Sequence, residues 1–545
     1  MLDWLQKKIG PRSSHPMNSP AEAAKLLSEL PREEPLKAVE EVAAWLESLA
    51  SATSFSTDSR LKVISKLDEA GQPCAEMLMS EYLAGEAKRE AGRFRQWQVL
   101  MDFWERLADA YQLIGLQIET STRREVLEQT AIVTVRGMRA VSAQIRIGLM
   151  CYAGAPERLW WALYHLYGLS HAQRQAAVLV RPYPWDTLPT TARAELVRAV
   201  MLEAAAPQSL TPRQIELTAR ITTRLASSFA YSETPGERLP LYLDLTQDCA
   251  PQLAPGGLQA AATMRFFGPG TASVRLKEIL DDSPGQQPAT EGRFGEEFTA
   301  AEIIETVQRL LLYWSDNPPR RQHARTGLSS SVEVAFGLEA IKLLVGKPEQ
   351  AVVADDPDKL NVKFDDNKTE KKPLKGNAIE TWKLKDISLR GLGAVTARRA
   401  QGALKIGALM AFRLEGADKW CVGIVRRLQT DAQNNLQVGA EIVSKDPLLL
   451  QLKRLSFKQD QAWNWELGDQ KSMMHFIQVV LLSSGAETGG DDSLLFDPGS
   501  YHPEETFGSM IENKLRKLQV GGVLEKDDDF ERLAFTWIEE QTIIS

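Results

Sequence analysis

Trp382-Lys383-Leu384-Lys385-Asp386-Ile387-Ser388-Leu389-Arg390-Gly391 is the stretch whose reading decides the fold of this chain. Trp382 and Leu384 alternate with lysines, the period of two expected of a strand with one buried face. The alternation runs into Asp386-Ile387-Ser388-Leu389-Arg390-Gly391, a D-x-S-x-x-G pattern in a strand-to-turn context. In a strand Asp386 and Ser388 point to one face and can act together. Gly391 admits either a positive φ or a close backbone approach. Upstream, Arg320-Arg321-Gln322-His323-Ala324-Arg325 contains an R-x-x-x-R pair, Arg321 and Arg325. It precedes a segment in which Val332, Val334 and Phe336 alternate.

Working outward, the chain is β-rich after Pro318-Pro319, with Val422, Ile424 and the stretch from Val438 continuing the alternation. Val353–Gly376, charged and poor in large apolar residues, has the character of a solvated loop. Before the β-rich part, residues from about Ser19 to Phe229 follow helical spacing. Phe94, Trp97, Leu100, Met101, Trp104, Leu107, Ala108, Tyr111 and Ile114 form one apolar stripe at offsets of three and four. Ala131–Met150 is apolar but broken by Arg136, Arg139 and Arg146, which predicts a core helix rather than a membrane span. No fixed-period repeat is visible.

These patterns predict a multidomain α + β protein. An N-terminal α-helical bundle or solenoid-like region spans 1–230, followed by a mixed connector over 231–298. A helix and an antiparallel β-barrel then occupy 299–470, with an inserted loop at about 347–376. A further small β region fills 471–545. The strand candidates there are His475–Leu482, Ser493–Phe496, Phe507–Val523 and Phe530–Trp537.

Length suggests two to four domains. The net charge of −8 argues against a DNA- or RNA-binding protein, which carries a basic surplus, but leaves room for one local basic pocket. Four scattered cysteines and six dispersed histidines give no metal-ligand spacing and no disulfide framework. The N-terminal residues lack an apolar signal-peptide core, and no apolar run reaches membrane-spanning length, so a cytoplasmic location is expected. Gly391-Leu392-Gly393-Ala394-Val395-Thr396 lacks the third glycine of a dinucleotide fingerprint. Gly268-Pro269-Gly270-Thr271 lacks the lysine of a P-loop. No catalytic constellation and no cofactor motif emerges, and the chain is expected not to be an enzyme. The acidic clusters Asp281-Asp282, Asp365-Asp366 and Asp527–Asp529 lie in polar segments and are expected to be solubilising charge.

R-x-x-x-R alone carries little information, since the spacing recurs at Arg89/Arg93 and Arg220/Arg224. Its combination with D-x-S-x-x-G is more selective. The order of arginines, first strand and aspartate motif resembles the PilZ domain, a bacterial receptor module for cyclic di-GMP. Lys405-Ile406-Gly407, Trp420–Arg427 and Val438–Ile442 look like the later strands of such a barrel. The resemblance covers about Pro318 to Leu455, roughly a quarter of the chain. It implies a ligand site made by Arg321, Arg325, Asp386, Ser388 and Gly391, with Arg320 as an additional candidate. It makes cyclic di-GMP the ligand, with Arg390, Arg398 and Arg399 available for further phosphate contacts. An arginine fork can grip guanine O6 and N7 or stack on the purine, and a carboxylate matches the guanine N1–H and N2–H₂ edge. The expected function is a cyclic di-GMP effector whose helical region meets an unidentified protein partner. The alternative is a PilZ-like scaffold that binds no ligand and acts only through protein contacts, with Asp386 and Ser388 forming an Asx-type turn.

Overall fold

The computed structural model describes residues 15–52, 55–85, 90–154, 158–281, 294–319, 326–327, 330–345, 379–397, 404–431, 433, 435–455, 476–483, 491–511 and 514–542. The chain divides into two compact units, Met1–Arg320 and Arg321–Ser545.

The first unit contains eleven α-helices among the described residues, from α1 (Pro20–Leu27) and α2 (Pro35–Ala50) to α11 (Ala300–Tyr313). α3 (Thr57–Ala84), α4 (Glu90–Glu119), α6 (Thr130–Met150) and α7 (Leu159–Ala172) lie between them, after the single turn α5 (Arg124–Leu127). α8 (Ala192–Ala204), α9 (Pro212–Leu225) and α10 (Ala272–Asp281) follow. A small antiparallel sheet, order β1-β4-β2-β3, interrupts the helices at β1 (Ala230–Ser232), β2 (Leu241–Asp244), β3 (Gln252–Leu253) and β4 (Met264–Gly268). The glycines of Gly268-Pro269-Gly270 serve chain packing. A Cβ at Gly268 would lie 2.1 Å from the Arg238 carbonyl oxygen, and Gly270 has φ +54° against the Ser228 carbonyl.

One hydrophobic core runs through this unit from Met17 to Trp314. α6 is buried on nearly all sides, as an all-round apolar helix must be. Its three arginines are accommodated by carboxylates brought in from other elements. Arg136 Nη2 reaches Glu69 at 2.7 Å, Arg139 meets Asp186 at 2.8 Å and Glu195 at 3.1 Å, and Arg146 meets Glu216 at 3.2 Å. α11 belongs here too, rather than with the barrel where the sequence reading grouped it. Ile303, Val307, Leu310 and Trp314 are buried in the helical core, and the Trp314 indole donates to the Met201 carbonyl at 2.9 Å.

The second unit holds two closed antiparallel barrels of six strands each. The first is built from β6 (Ser331–Phe336), β7 (Glu380–Ile387), β8 (Gly391–Ala397), β9 (Leu409–Leu414), β10 (Cys421–Thr430) and β11 (Asn435–Ser444). Its order is β7-β6-β9-β10-β11-β8, closed by β7–β8, and the two-residue strand β5 (Thr326–Gly327) pairs with the end of β7. The second barrel, order β12-β13-β14-β17-β16-β15, uses β12 (Leu448–Arg454), β13 (Phe476–Leu482), β14 (Ser493–Phe496), β15 (Thr506–Ile511), β16 (Lys514–Lys526) and β17 (Glu531–Thr542). The small β region expected at the C-terminus is thus a complete barrel.

The two barrels share one connectivity. In each, the first strand pairs with the second and fourth, the third with the second and sixth, and the fifth with the fourth and sixth. Three residues, Lys445, Asp446 and Pro447, separate the last strand of one from the first strand of the other. β9 and β10 bury both faces. Met410, Phe412 and Val425 are buried, while Leu409, Ala411, Val422 and Ile424 join a core shared with Leu449, Val480, Leu482, Leu495 and Phe530 of the second barrel. The short helix α12 (Leu338–Leu344) contributes Leu338 and Ile341 to the same core.

A cavity on the outer face of the first barrel

Strict alternation along β7 would place Asp386 inside the barrel with Trp382 and Leu384. The register shows why it is not there. Leu384 pairs with Ala394 and Asp386 with Gly393, so Lys385 is the extra residue of a β-bulge. Residues directly opposite each other in a sheet share a face. Leu384 and Ala394 therefore face the interior, and Asp386 shares the outer face with Gly393. Ser388, two residues on, follows Asp386 outward.

The D-x-S-x-x-G segment is a tight hairpin between β7 and β8. The Ser388 N–H donates to the Gly391 carbonyl at 2.8 Å, and its hydroxyl lies 3.3 Å from the same oxygen. The serine thus fixes the turn, while its oxygen keeps lone pairs for another donor. Gly391 begins β8 and is not among the positive-φ glycines. Of the two roles open to it from sequence, the left-handed one is not used. The Arg390 carbonyl accepts from Ile442 N–H at 3.0 Å, pinning the hairpin tip to β11.

These elements line a cavity of about 420 Å³. Asp386, Ser388, Arg390 and Gly391 form one side, with Lys385 next to them. Gly393 pairs with Gly439, so the floor across β8 and β11 carries no side chain there, and Arg427 of β10, opposite Gly439, bounds it. Arg426, Arg427, Gln437 and Glu441 form the opposite side. Four cationic side chains thus face two carboxylates, giving a basic cavity on an acidic protein.

The partners of the cations differ. Lys385 Nζ donates to Gln437 at 3.1 Å, and Arg427 to Gln429 at 2.7 Å. Arg426 donates through Nε to Glu441 at 2.8 Å and through Nη2 to Glu525 of the second barrel at 3.1 Å. Burial works against the Arg426 charge, but the bonds to Glu525 and Glu441 outweigh it and raise its pKa above the ordinary arginine value. Arg390 is exposed, and its side chain enters none of the ion pairs among the described residues.

The structure brings three of the expected site residues, Asp386, Ser388 and Gly391, into one cavity. Arg320, Arg321 and Arg325 lie outside the described residues, as do Arg398, Arg399 and the inserted loop 347–376. The strand that follows the arginines is described. Thr326 pairs with Ile387 and Gly327 with Asp386, so strand pairing closes the sequence gap between the two motifs. Sequence reasoning missed Arg426, Arg427, Glu441 and the glycine floor. On β11 the signal was parity, since Gln437, Gly439 and Glu441 alternate with the buried Val438, Ala440 and Ile442. On β10 parity misleads, because a bulge at Arg426 turns Arg427 to the outer face with Gly439.

The acidic cluster Asp527–Asp529 corrects the expectation of solubilising charge. Asp527 and Asp528 bind Lys405 at 2.7 and 2.8 Å, and Asp529 accepts from Leu338 N–H at 3.2 Å. All three contacts join the barrels. Among the described residues no group of three or more His, Cys, Asp or Glu could hold a metal ion. No helix among them is long and apolar enough to cross a membrane.

Comparison with known protein families gives a match in the helical unit. Residues 21–235 match the family model described as "Cyclic-di-GMP receptor FimW, N-terminal domain". No curated protein matches the chain.

Proposed function

We propose that this protein is a cyclic di-GMP receptor that seats its ligand in the outer-face cavity of the first barrel and acts by binding, without catalysis. One observation carries the reading: Asp386 and Ser388 share that cavity with Arg390, Arg426 and Arg427 over a glycine floor. A guanine edge offers N1–H and N2–H₂ to a carboxylate, phosphodiester oxygens take guanidinium forks, and a floor without side chains accepts a purine face. The volume lies within the range of small-molecule sites. Two further facts support it. Arg325 immediately precedes Thr326, whose strand partner Ile387 lies within the motif, so Arg321 and Arg325 are candidates to close over the ligand. The helical unit matches the N-terminal domain model of a cyclic di-GMP receptor.

In this reading the helical unit is the output, meeting a protein partner, and Arg321 and Arg325 contact the ligand. Titration calorimetry with cyclic di-GMP, and with GTP and cyclic di-AMP as controls, tests it on the wild type, Arg321→Ala and Asp386→Ala. The expected result is micromolar or tighter binding, selective for cyclic di-GMP and lost in both variants. No binding by the wild type would leave the scaffold reading. Loss in Asp386→Ala alone would separate the arginine pair from the site.

A further inference from the structure

The second barrel repeats the connectivity of the first, but not its ligand chemistry. Where the first joins its second and third strands through the Asp386–Gly391 hairpin, the second has Ser483–Asp492, with no D-x-S-x-x-G. What the second barrel presents to the first is the end of β16 and the turn that follows it, Glu525-Lys526-Asp527-Asp528-Asp529. Four acids of this segment meet the first barrel. Asp527 and Asp528 hold Lys405, and Asp529 caps the start of α12. Only Glu525 reaches a residue of the cavity wall, Arg426.

We propose, building on the receptor reading above, that Arg426 is a ligand contact shared with the second barrel: an anionic ligand competes with Glu525 for its guanidinium, and binding loosens the β16–β17 turn. Arg426 spends Nε on Glu441 and both Nη groups on Glu525, a fork that a phosphodiester can match. Displacement leaves neither acid stranded. Glu525 retains Arg532, its strand partner, 3.6 Å away, and Glu441 is half exposed to water. The exchange is therefore reversible, as a switch requires. Its logic is linkage: whatever Glu525 contributes to holding the barrels together through Arg426 is withheld from the ligand, and the reverse. The second barrel is then the responder of a duplicated pair, with the Glu525–Arg426 contact as its input.

The test is cyclic di-GMP titration of the full chain as wild type, E525Q, R426A and the double variant, with D528N as a control at an exposed acid of the adjoining turn. Removing the competitor should tighten binding about tenfold, and R426A should weaken it by at least as much. In the R426A background E525Q should have no effect, because the competition runs through that guanidinium. D528N should bind as the wild type does. Amide exchange at Asp527–Phe530 should rise in the wild type on ligand addition. E525Q tightening equally with and without Arg426 would mean simple field relief and would overturn the proposal. So would unchanged affinity with unchanged exchange, while the receptor reading stood. Absence of cyclic di-GMP binding in all five proteins, with folded circular dichroism spectra, would overturn both. If E525Q unfolds, the exchange measurement on the wild type decides, and unchanged exchange at Asp527–Phe530 under saturating cyclic di-GMP would overturn the proposal.

Discussion

At the scale of single residues, the cavity depends on two kinds of position, one that supplies charge and one that supplies nothing. Asp386 supplies an acceptor edge. Asp386→Asn keeps the shape but replaces one oxygen by a donor that faces the guanine donors. It should weaken cyclic di-GMP binding by about 1.5–3 kcal/mol, read as a rise in Kd of roughly ten- to 150-fold by calorimetry. Gly439 supplies absence. A Cβ there already comes 3.2 Å from the Arg427 Cβ, so Gly439→Val would crowd Arg427 and fill the floor. Its expected signature is lost ligand binding, measured alongside an unchanged thermal transition of the helical unit. The motif residues were legible because Asp, Ser and Gly at that spacing are selective. The floor was not, because a glycine in a strand announces only that a side chain is missing. Nor was the bulge at Lys385. Parity alone sends Asp386 inward, and only the register with β8 shows that it faces out.

At the scale of elements, buried charge and shared apolar faces explain how the helices and barrels hold. Glu195 on α8 is fully buried, which by itself would raise its pKa. Arg198 and Arg139, with a bond from Thr190, overcome that and hold it below the usual carboxylate range. A depressed folded-state pKa stabilises the fold above the unfolded value, and that stability is lost as pH falls through the folded value. Glu195→Gln, which leaves arginines without their buried partner, should therefore cost about 3 kcal/mol near neutrality. The difference from wild type should shrink as denaturation is repeated at pH values below the ordinary glutamate range. α12 sets a second expectation. Ile341 is fully buried in the core common to both barrels, so Ile341→Ala should cost about 2–5 kcal/mol. Both barrels should then melt together, in one transition followed by a tryptophan of each, Trp420 and Trp537. The amphipathic stripe of α4 and the all-round apolar α6 could be read from spacing. The position of α11 could not, because its pattern says that it has a buried face and not which neighbour covers it.

At the scale of the molecule, the helical and barrel units each have their own core. Residues 321–545 alone contain the arginine pair, the hairpin motif and Glu525. That fragment should bind cyclic di-GMP within about threefold of the full chain's affinity, since distant sites act nearly independently. Calorimetry on the purified fragment checks it, and a large loss would mean that the helical unit contributes to the site. The duplicated barrel topology was invisible in the sequence for a physical reason. Connectivity is fixed by which strand edges meet, and many unrelated alternating patterns satisfy the same pairing. One consequence follows from the three residues between Ser444 and Leu448. So short a tether spans at most about 14 Å, which fixes the local concentration of each barrel's surface at the other in the millimolar range or above. A broken contact across the seam therefore re-forms readily with the same partner, and a ligand that replaces one of them must outcompete that local concentration. Individual ion pairs there can be weak and quick to open without the two halves ever coming apart.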